Sequence, residues 1–154
     1  MNYNKIFLQI KKRPCFHGYI SPNTETRFSQ IHGLGLFAKK DIKKGEVVAV
    51  WGGCVVTNKE ILKFSKNIGY NYALEIHPGF YLAEKKESEL DSSDFINHSC
   101  LANSKIINKL TMITKRYVYK GEELTSDFSN SKNSGKKFVC NCGSKKCRKI
   151  VYFD

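Results

Sequence analysis

Short apolar runs alternate with Gly, Pro and Asn along most of this chain, and few of them keep a helical spacing. Gly45-Glu-Val-Val-Ala-Val-Trp51 follows a Lys-Lys-Gly turn and reads as a strand. Val55-Val56 is expected to continue it past Gly52-Gly53. Thr57-Asn-Lys-Glu60 is a capping-box signature that opens a short helix to about Asn67, with Ile61, Leu62 and Phe64 turned inward. Tyr70 to Ile76 and Phe80 to Ala83 flank Pro78-Gly79 and predict a hairpin. Lys105 to Ile107 and Leu110 to Thr114 flank Asn108-Lys109 and predict another. Pro14 and Pro22 break the first 25 residues, which read as irregular, and Ser129 to Gly135 reads as a polar, flexible connection. Many short strands with few helices make the fold class mostly β.

The 154 residues suit one domain, and 41% apolar content suffices for a packed core. No apolar run approaches the roughly 20 residues a membrane-spanning helix needs, and the first 13 residues lack a signal-peptide pattern. The expectation is an intracellular protein, monomeric and without a membrane partner. Net charge is +12 and uneven. Phe128 to Phe153 holds seven Lys or Arg and no acid, whereas Glu84 to Asp94 holds five acids and two lysines. Lys far outnumbers Arg, and base-specific readout usually relies on Arg, so the charge reads either as a solvated surface or as weak, non-specific attraction to nucleic acid.

The candidate chemistry lies in four segments. Gly33-Leu-Gly-Leu-Phe-Ala38 lets backbone approach a ligand closely, or is a tight turn between strands; it lacks the third glycine of a dinucleotide site. Asp94-Phe-Ile-Asn-His-Ser-Cys100 gathers polar and nucleophilic side chains, although a buried structural His98 would serve as well. Gly121-Glu-Glu-Leu-Thr-Ser-Asp-Phe128 reads as a turn entering a strand. Cys140-Asn-Cys-Gly-Ser-Lys-Lys-Cys147 spaces its cysteines as C-x-C-x4-C. Neighbouring thiols this close pair poorly with each other, and basic neighbours favour thiolates, so these three read as zinc ligands that need a fourth. Nothing in the sequence indicates secretion, so disulfides are not expected for the six cysteines.

In this order and spacing the four segments resemble the SET-domain family of protein lysine methyltransferases with its cysteine-rich post-SET tail, from about Phe28 to Arg148. The resemblance implies a SET fold of several small curved sheets with a knot-like crossing near the C-terminus, plus a zinc-stapled tail. It divides the chain into an N-terminal segment (1–25), a SET domain (26–130) and a post-SET zinc segment (131–154). It implies S-adenosylmethionine held by Gly33, Leu34, Gly35, Leu36, Asn97 and His98, with Tyr72 touching both cofactor and reacting amine. Asn97–Cys100 and Leu124–Phe128 would meet to build one site. Cys100 would join Cys140, Cys142 and Cys147 on a structural Zn2+. Trp51, Ser126, Phe128 and Tyr152 (or Phe153) would line the lysine channel. The implied activity is methyl transfer to a lysine of a histone-like, ribosomal or other basic protein, in cytoplasm or nucleus or as an exported effector.

Several positions depart from the family pattern. Phe128 stands where a tyrosine hydroxyl usually orients the amine, a loss of roughly 2–4 kcal/mol if that donor acts in the transition state. Trp51 replaces a second tyrosine, Ser126 an aromatic, Asp94 an arginine, and Leu101 a proline. Two readings follow: an active methyltransferase with Tyr72 or another hydroxyl compensating, or a weakly active module that binds cofactor or a lysine-bearing peptide, its basic tail contacting nucleic acid.

Overall fold

The computed structural model describes residues 15–68, 73–130 and 137–152 and is built mainly of short strands. Two compact units share the chain, one of residues 1–18 and 52–90, the other of residues 19–51 and 91–154.

In the first unit, β1 (Cys15–Phe16), β6 (Gly53–Thr57), β7 (Ala73–His77) and β8 (Phe80–Ala83) form one sheet in the order β1-β6-β8-β7. The helix α1 (Asn58–Ile68) follows β6 directly. Its start is the predicted cap: the Glu60 carboxylate accepts from the Thr57 backbone N–H at 2.8 Å and from the Thr57 hydroxyl at 2.6 Å. Ile61 is buried against Cys54, Val56 and Ala83, as expected. Leu62 is not; it is 55% exposed. Successive helical residues point about 100° apart, so both cannot face one sheet. The side chain of Phe64 and residues 70–72 of the predicted hairpin lie outside the description. From Ala73 onward that hairpin is present around Pro78-Gly79.

In the second unit, β2 (Tyr19–Ile20), β5 (Val47–Val50), β10 (Ser104–Ile107) and β11 (Thr111–Thr114) form a sheet in the order β10-β11-β5-β2. A further sheet joins β3 (Thr24–Phe28), β4 (Leu34–Ala38), β12 (Glu123–Ser126) and β9 (Asn97–His98) in the order β3-β4-β12-β9. The ribbon β13 (Lys137–Val139) with β14 (Ile150–Tyr152) closes the chain. Leu36 and Leu124 are register partners in the β3-β4-β12-β9 sheet, and both are buried with Val48, Ala49, Ile96, Met112 and Val118. Each Leu, Ile, Val or Met among them contributes roughly 1.5–3 kcal/mol by leaving water. The predicted 105–114 hairpin is present. Ile107 faces Thr111, so the loop is three residues, Asn108 to Leu110, and Leu110 is not in the second strand as expected. Asn108 and Lys109 take left-handed φ of 48° and 63° within it.

Three expectations are corrected. Val55-Val56 does not prolong the strand before it: β5 ends at Val50, and Gly53–Thr57 pairs in a different sheet. The change occurs at Gly52-Gly53, where a Cβ on Gly52 would strike the backbone of Gly18 and Phe16 and where Gly53 has φ of 121°. The first 25 residues are not irregular throughout, since β1, β2 and the start of β3 fall within them. The six cysteines are not all free: Cys15 and Cys54 form a disulfide across β1 and β6, where the strand register sets them opposite each other. Of the connection expected at Ser129 to Gly135, residues 129–130 belong to a 3-10 helix at Phe128–Asn130, and the rest lies outside the description. Among the described residues, no helix is long and apolar enough to cross a membrane.

A second short 3-10 helix, Ser92–Phe95, precedes β9 and is capped at both ends of its first turn. Asp91 accepts from the Ser93 N–H at 2.7 Å, and Asp94 accepts from the Asp91 N–H at 2.8 Å. Burial pushes the Asp94 carboxyl up to about 6 from 3.8, the Asp91 N–H opposes this, and the Asp91 charge adds to it. The folded form therefore binds the proton more tightly than the unfolded chain, and stability is lost as pH rises through the window from about 4 to 6. Asp94→Asn keeps an acceptor for the Asp91 N–H and removes the buried charge. Urea unfolding is expected to show it more stable than the parent by about 1–2 kcal/mol at pH 8 and nearly equal at pH 4; equal stability at both pH values would contradict this.

Candidate functional site

The glycine segment is shaped by its own turn. Ser29 N–H donates to the Gly33 carbonyl at 2.8 Å, and Gly33 takes φ of 47° before β4 begins. Gly35 has no room for a side chain, because a Cβ there would meet the Glu123 carboxylate. That carboxylate accepts from the Ser29 hydroxyl, whose oxygen lies 2.9 and 2.8 Å from its two oxygens.

Asn97 completes this arrangement. Its amide nitrogen reaches three acceptors: the His32 carbonyl at 3.1 Å, the Leu34 carbonyl at 2.9 Å and Glu123 Oε1 at 2.7 Å. All three are oxygens that can only accept, which fixes the orientation of the amide. The strand carrying Asn97 runs parallel to β12, with Thr125 opposite Asn97 and Ser126 opposite His98. Ser99 N–H extends the pairing to the Ser126 carbonyl at 3.1 Å. The two motifs expected to meet, Asn97–Cys100 and Leu124–Phe128, are therefore neighbours.

His98 is buried, and its Nδ1 accepts from the Phe128 N–H at 3.1 Å. In a neutral imidazole the proton then sits on Nε2, which faces Cys100 Sγ at 3.3 Å. Burial holds its pKa below the usual histidine range; the Asp127 charge opposes this and Arg148 reinforces it. The imidazole ring lies 5.7 Å from the Phe128 ring and 5.2 Å from the Phe138 ring, between centroids.

Cys100, Cys140, Cys142 and Cys147 present four sulfurs all within 4.8 Å of one another. The Cys100 and Cys140 sulfurs are 3.8 Å apart. Tetrahedral zinc with Zn–S bonds of about 2.3 Å sets sulfurs about 3.8 Å apart, so these four thiols fit one such ion. Burial pushes the Cys140 thiol up, and the other three sulfurs crowd it. Four thiolates at this spacing repel one another unless a cation sits among them.

The remaining candidates are placed as follows. Ser126 is almost fully buried on β12. Phe128 is half-buried at the start of its 3-10 helix. Tyr152 is 60% exposed on β14, which runs beside that helix. Trp51 packs against the core and donates its indole N–H to the Ser93 carbonyl at 3.1 Å. Tyr72 and Phe153 lie outside the described residues. Sequence reasoning missed Ser29 and Glu123, which lock the turn, and Asn103. The Asn103 amide donates to the Glu123 carbonyl at 2.8 Å and accepts from the Thr125 N–H at 3.0 Å, holding β12 on its other flank. Glu123 stood inside a recognised motif; Ser29 and Asn103 carried no signal.

The SET domain family model matches residues 33–129. The chain belongs to the SET-domain family. It is 32% identical over 137 residues to human histone-lysine N-methyltransferase 2B, covering 80% of this chain and 5% of that protein. It is 34% identical over 135 residues to trithorax of Drosophila virilis, a histone-lysine N-methyltransferase, covering 80% and 3%. It is 32% identical over 132 residues to the H3 lysine-4 specific histone-lysine N-methyltransferase of Schizosaccharomyces pombe, covering 78% and 14%. The chain thus spans a small part of the length of each of these relatives. The crystal structure of KRYPTONITE, solved with mCHG DNA and SAH, superposes with a TM-score of 0.66 at 23% identity, covering 86% of this chain and 30% of that one. That likeness shows the SET fold, with its several small sheets.

Asn97→Asp tests the joint between the glycine turn and β12. The variant removes the donor and sets a second carboxylate against Glu123, a loss of about 2–4 kcal/mol. Denaturant unfolding at neutral pH is expected to show that loss, largely relieved at about pH 4; a loss below about 0.5 kcal/mol would mean the joint carries little.

Proposed function

We propose that this protein transfers a methyl group from S-adenosylmethionine to the side-chain amine of a lysine in a histone-like or other basic protein, inside the cell. The observation that supports this most is the parallel pairing of β9 with β12, which sets Asn97 and His98 beside Ser126 and close to Phe128, with the Gly33–Leu36 segment tied to Asn97. In this reading residues 26–130 are the SET domain and residues 131–154 a post-SET segment. Gly33, Leu34, Gly35, Leu36, Asn97, His98 and Tyr72 bind the cofactor. Trp51, Ser126, Phe128 and Tyr152 line the lysine channel, and Cys100, Cys140, Cys142 and Cys147 hold zinc.

When bound, the cofactor supplies an electrophilic methyl group on a sulfonium. The chain's task is alignment. The amide nitrogen of Asn97 is taken up by the turn and Glu123, which fixes the side chain and the glycine wall beside the cofactor it helps bind. A close, in-line approach of amine to methyl carbon then lowers the barrier by positioning. The Phe128 and Phe138 rings against His98 give this region an apolar surface that disfavours a charged ammonium and helps the lysine shed its proton. Phe128 donates its backbone N–H to His98 and has no hydroxyl, so orientation of the amine falls to Tyr72.

That missing hydroxyl is also what favours the second reading, a weakly active module that binds cofactor or a lysine-bearing peptide. The exposed basic residues Lys145, Lys146 and Lys149 suit loose contact with nucleic acid beside the target.

With methyl-labelled S-adenosylmethionine and a panel of histones and ribosomal proteins, the parent is expected to label a lysine. Asn97→Ala is expected to lower the rate at least about 100-fold, and Phe128→Tyr to change it by less than about tenfold. A gain of about 100-fold or more on Phe128→Tyr would favour the second reading. Failure to label any protein would reject the first. Metal analysis is expected to find about one zinc per chain, and chelation to free four thiols to alkylation; metal-free protein with those thiols already reactive would refute the zinc assignment.

A further inference from the structure

Two hydrogen-bonded arms leave the sulfur of Cys100 and reach the same short turn. The first is Arg148. Its Nε lies 3.3 Å and its backbone nitrogen 3.4 Å from Cys100 Sγ. Its Nη2 donates to Asp127 Oδ1 at 2.6 Å and its Nη1 to Ser129 Oγ at 3.1 Å. The second is His98, which faces the sulfur through Nε2 and accepts the Phe128 N–H through Nδ1. Phe128 is thus held directly by one arm and flanked on both sides by residues held by the other. We infer that Arg148 is a positioning residue that couples the four-cysteine site to the placement of Phe128, so that the metal site and the lysine channel are built as one unit.

The chemistry of the guanidinium suits this task. Its Nε–H, beside the backbone N–H of the same residue, meets the sulfur as suits a thiolate, and the carboxylate of Asp127 lies at the opposite end of the same planar fork. Asp127 Oδ1 also accepts from the Ser129 N–H at 3.0 Å and the Ser129 hydroxyl at 2.9 Å, so the turn is rigid where Arg148 grips it. A lysine offers a point charge and cannot span sulfur, carboxylate and hydroxyl together. Because such coupling is reciprocal, Asp127 steadies the metal just as the metal steadies Asp127, although none of its hydrogen bonds goes to sulfur.

The test uses the full zinc-loaded chain and follows zinc release to excess EDTA with a metallochromic dye. Arg148→Met and Asp127→Asn are each expected to speed release about tenfold, the double variant no more than the faster single, and Arg148→Lys not to restore the parent rate. Release from Asp127→Asn at the parent rate, or single effects that multiply in the double variant, overturns the inference. A second measurement rests on the methyl-transfer reading. At matched zinc content, Asp127→Asn and Arg148→Met are expected to lower kcat about tenfold while KM for S-adenosylmethionine stays within about twofold; an unchanged kcat overturns the inference. A parent protein that methylates nothing removes that reading alone, and the zinc-release cycle then decides the coupling.

Discussion

The hydrogen bond from the Asn97 amide to the Glu123 carboxylate joins residues 26 positions apart, and the rest of the site is arranged around it. Glu123 is held by Ser29 as well, and Asn97 also reaches the carbonyls of His32 and Leu34. One polar cluster therefore fixes the glycine turn, β9 and β12 relative to one another. Buried or half-buried polar groups are costly when unpaired, so each member depends on the others remaining in place. The absence of a side chain at Gly35 belongs to the same constraint, since the space a Cβ would need is filled by the Glu123 carboxylate.

Cys100 plays the corresponding part on the other side of β9. It lies two residues beyond His98, and the sequence between them pairs with β12. A short stretch of chain thus ends in a sulfur that three distant cysteines approach. Among the described residues from Lys137 to Tyr152, Cys140 and Val151 are buried, while Val139, Ile150 and Tyr152 are exposed. The Arg148 contacts and the clustering of this segment's three cysteines with Cys100 hold it where a core does not. The departure at Phe128 falls where these two constraints meet. Its backbone is engaged by His98 and its ring packs on the same imidazole, so the position is structurally occupied even without the hydroxyl.

Much was legible in the sequence because local chemistry specifies it. The Thr57–Glu60 cap, the Pro78-Gly79 turn and the 105–114 hairpin each depend on residues within a few positions, and each is present, the last with Leu110 added to its loop. The four motifs, in order, were enough to indicate the family. The four-cysteine cluster was legible only in part: C-x-C-x4-C is a local pattern, while Cys100 entered through the resemblance.

What the sequence could not settle is which distant residues share a space. The break at Gly52-Gly53 reads locally as a pause in one strand, and only backbone crowding against Gly18 and Phe16 turns it into a change of sheet. The pairing of Cys15 with Cys54 follows from strand register, not from cysteine count. Ser29, Asn103, Asp127 and Arg148 are ordinary polar residues until the fold brings their partners within 3.5 Å. The sequence by itself determined the helix cap, the hairpins and the motifs, because those depend on backbone preference and spacing. The tertiary structure alone decided the joints between motifs, because a hydrogen bond or a metal site is a matter of distance, and distance along the chain does not give distance in space.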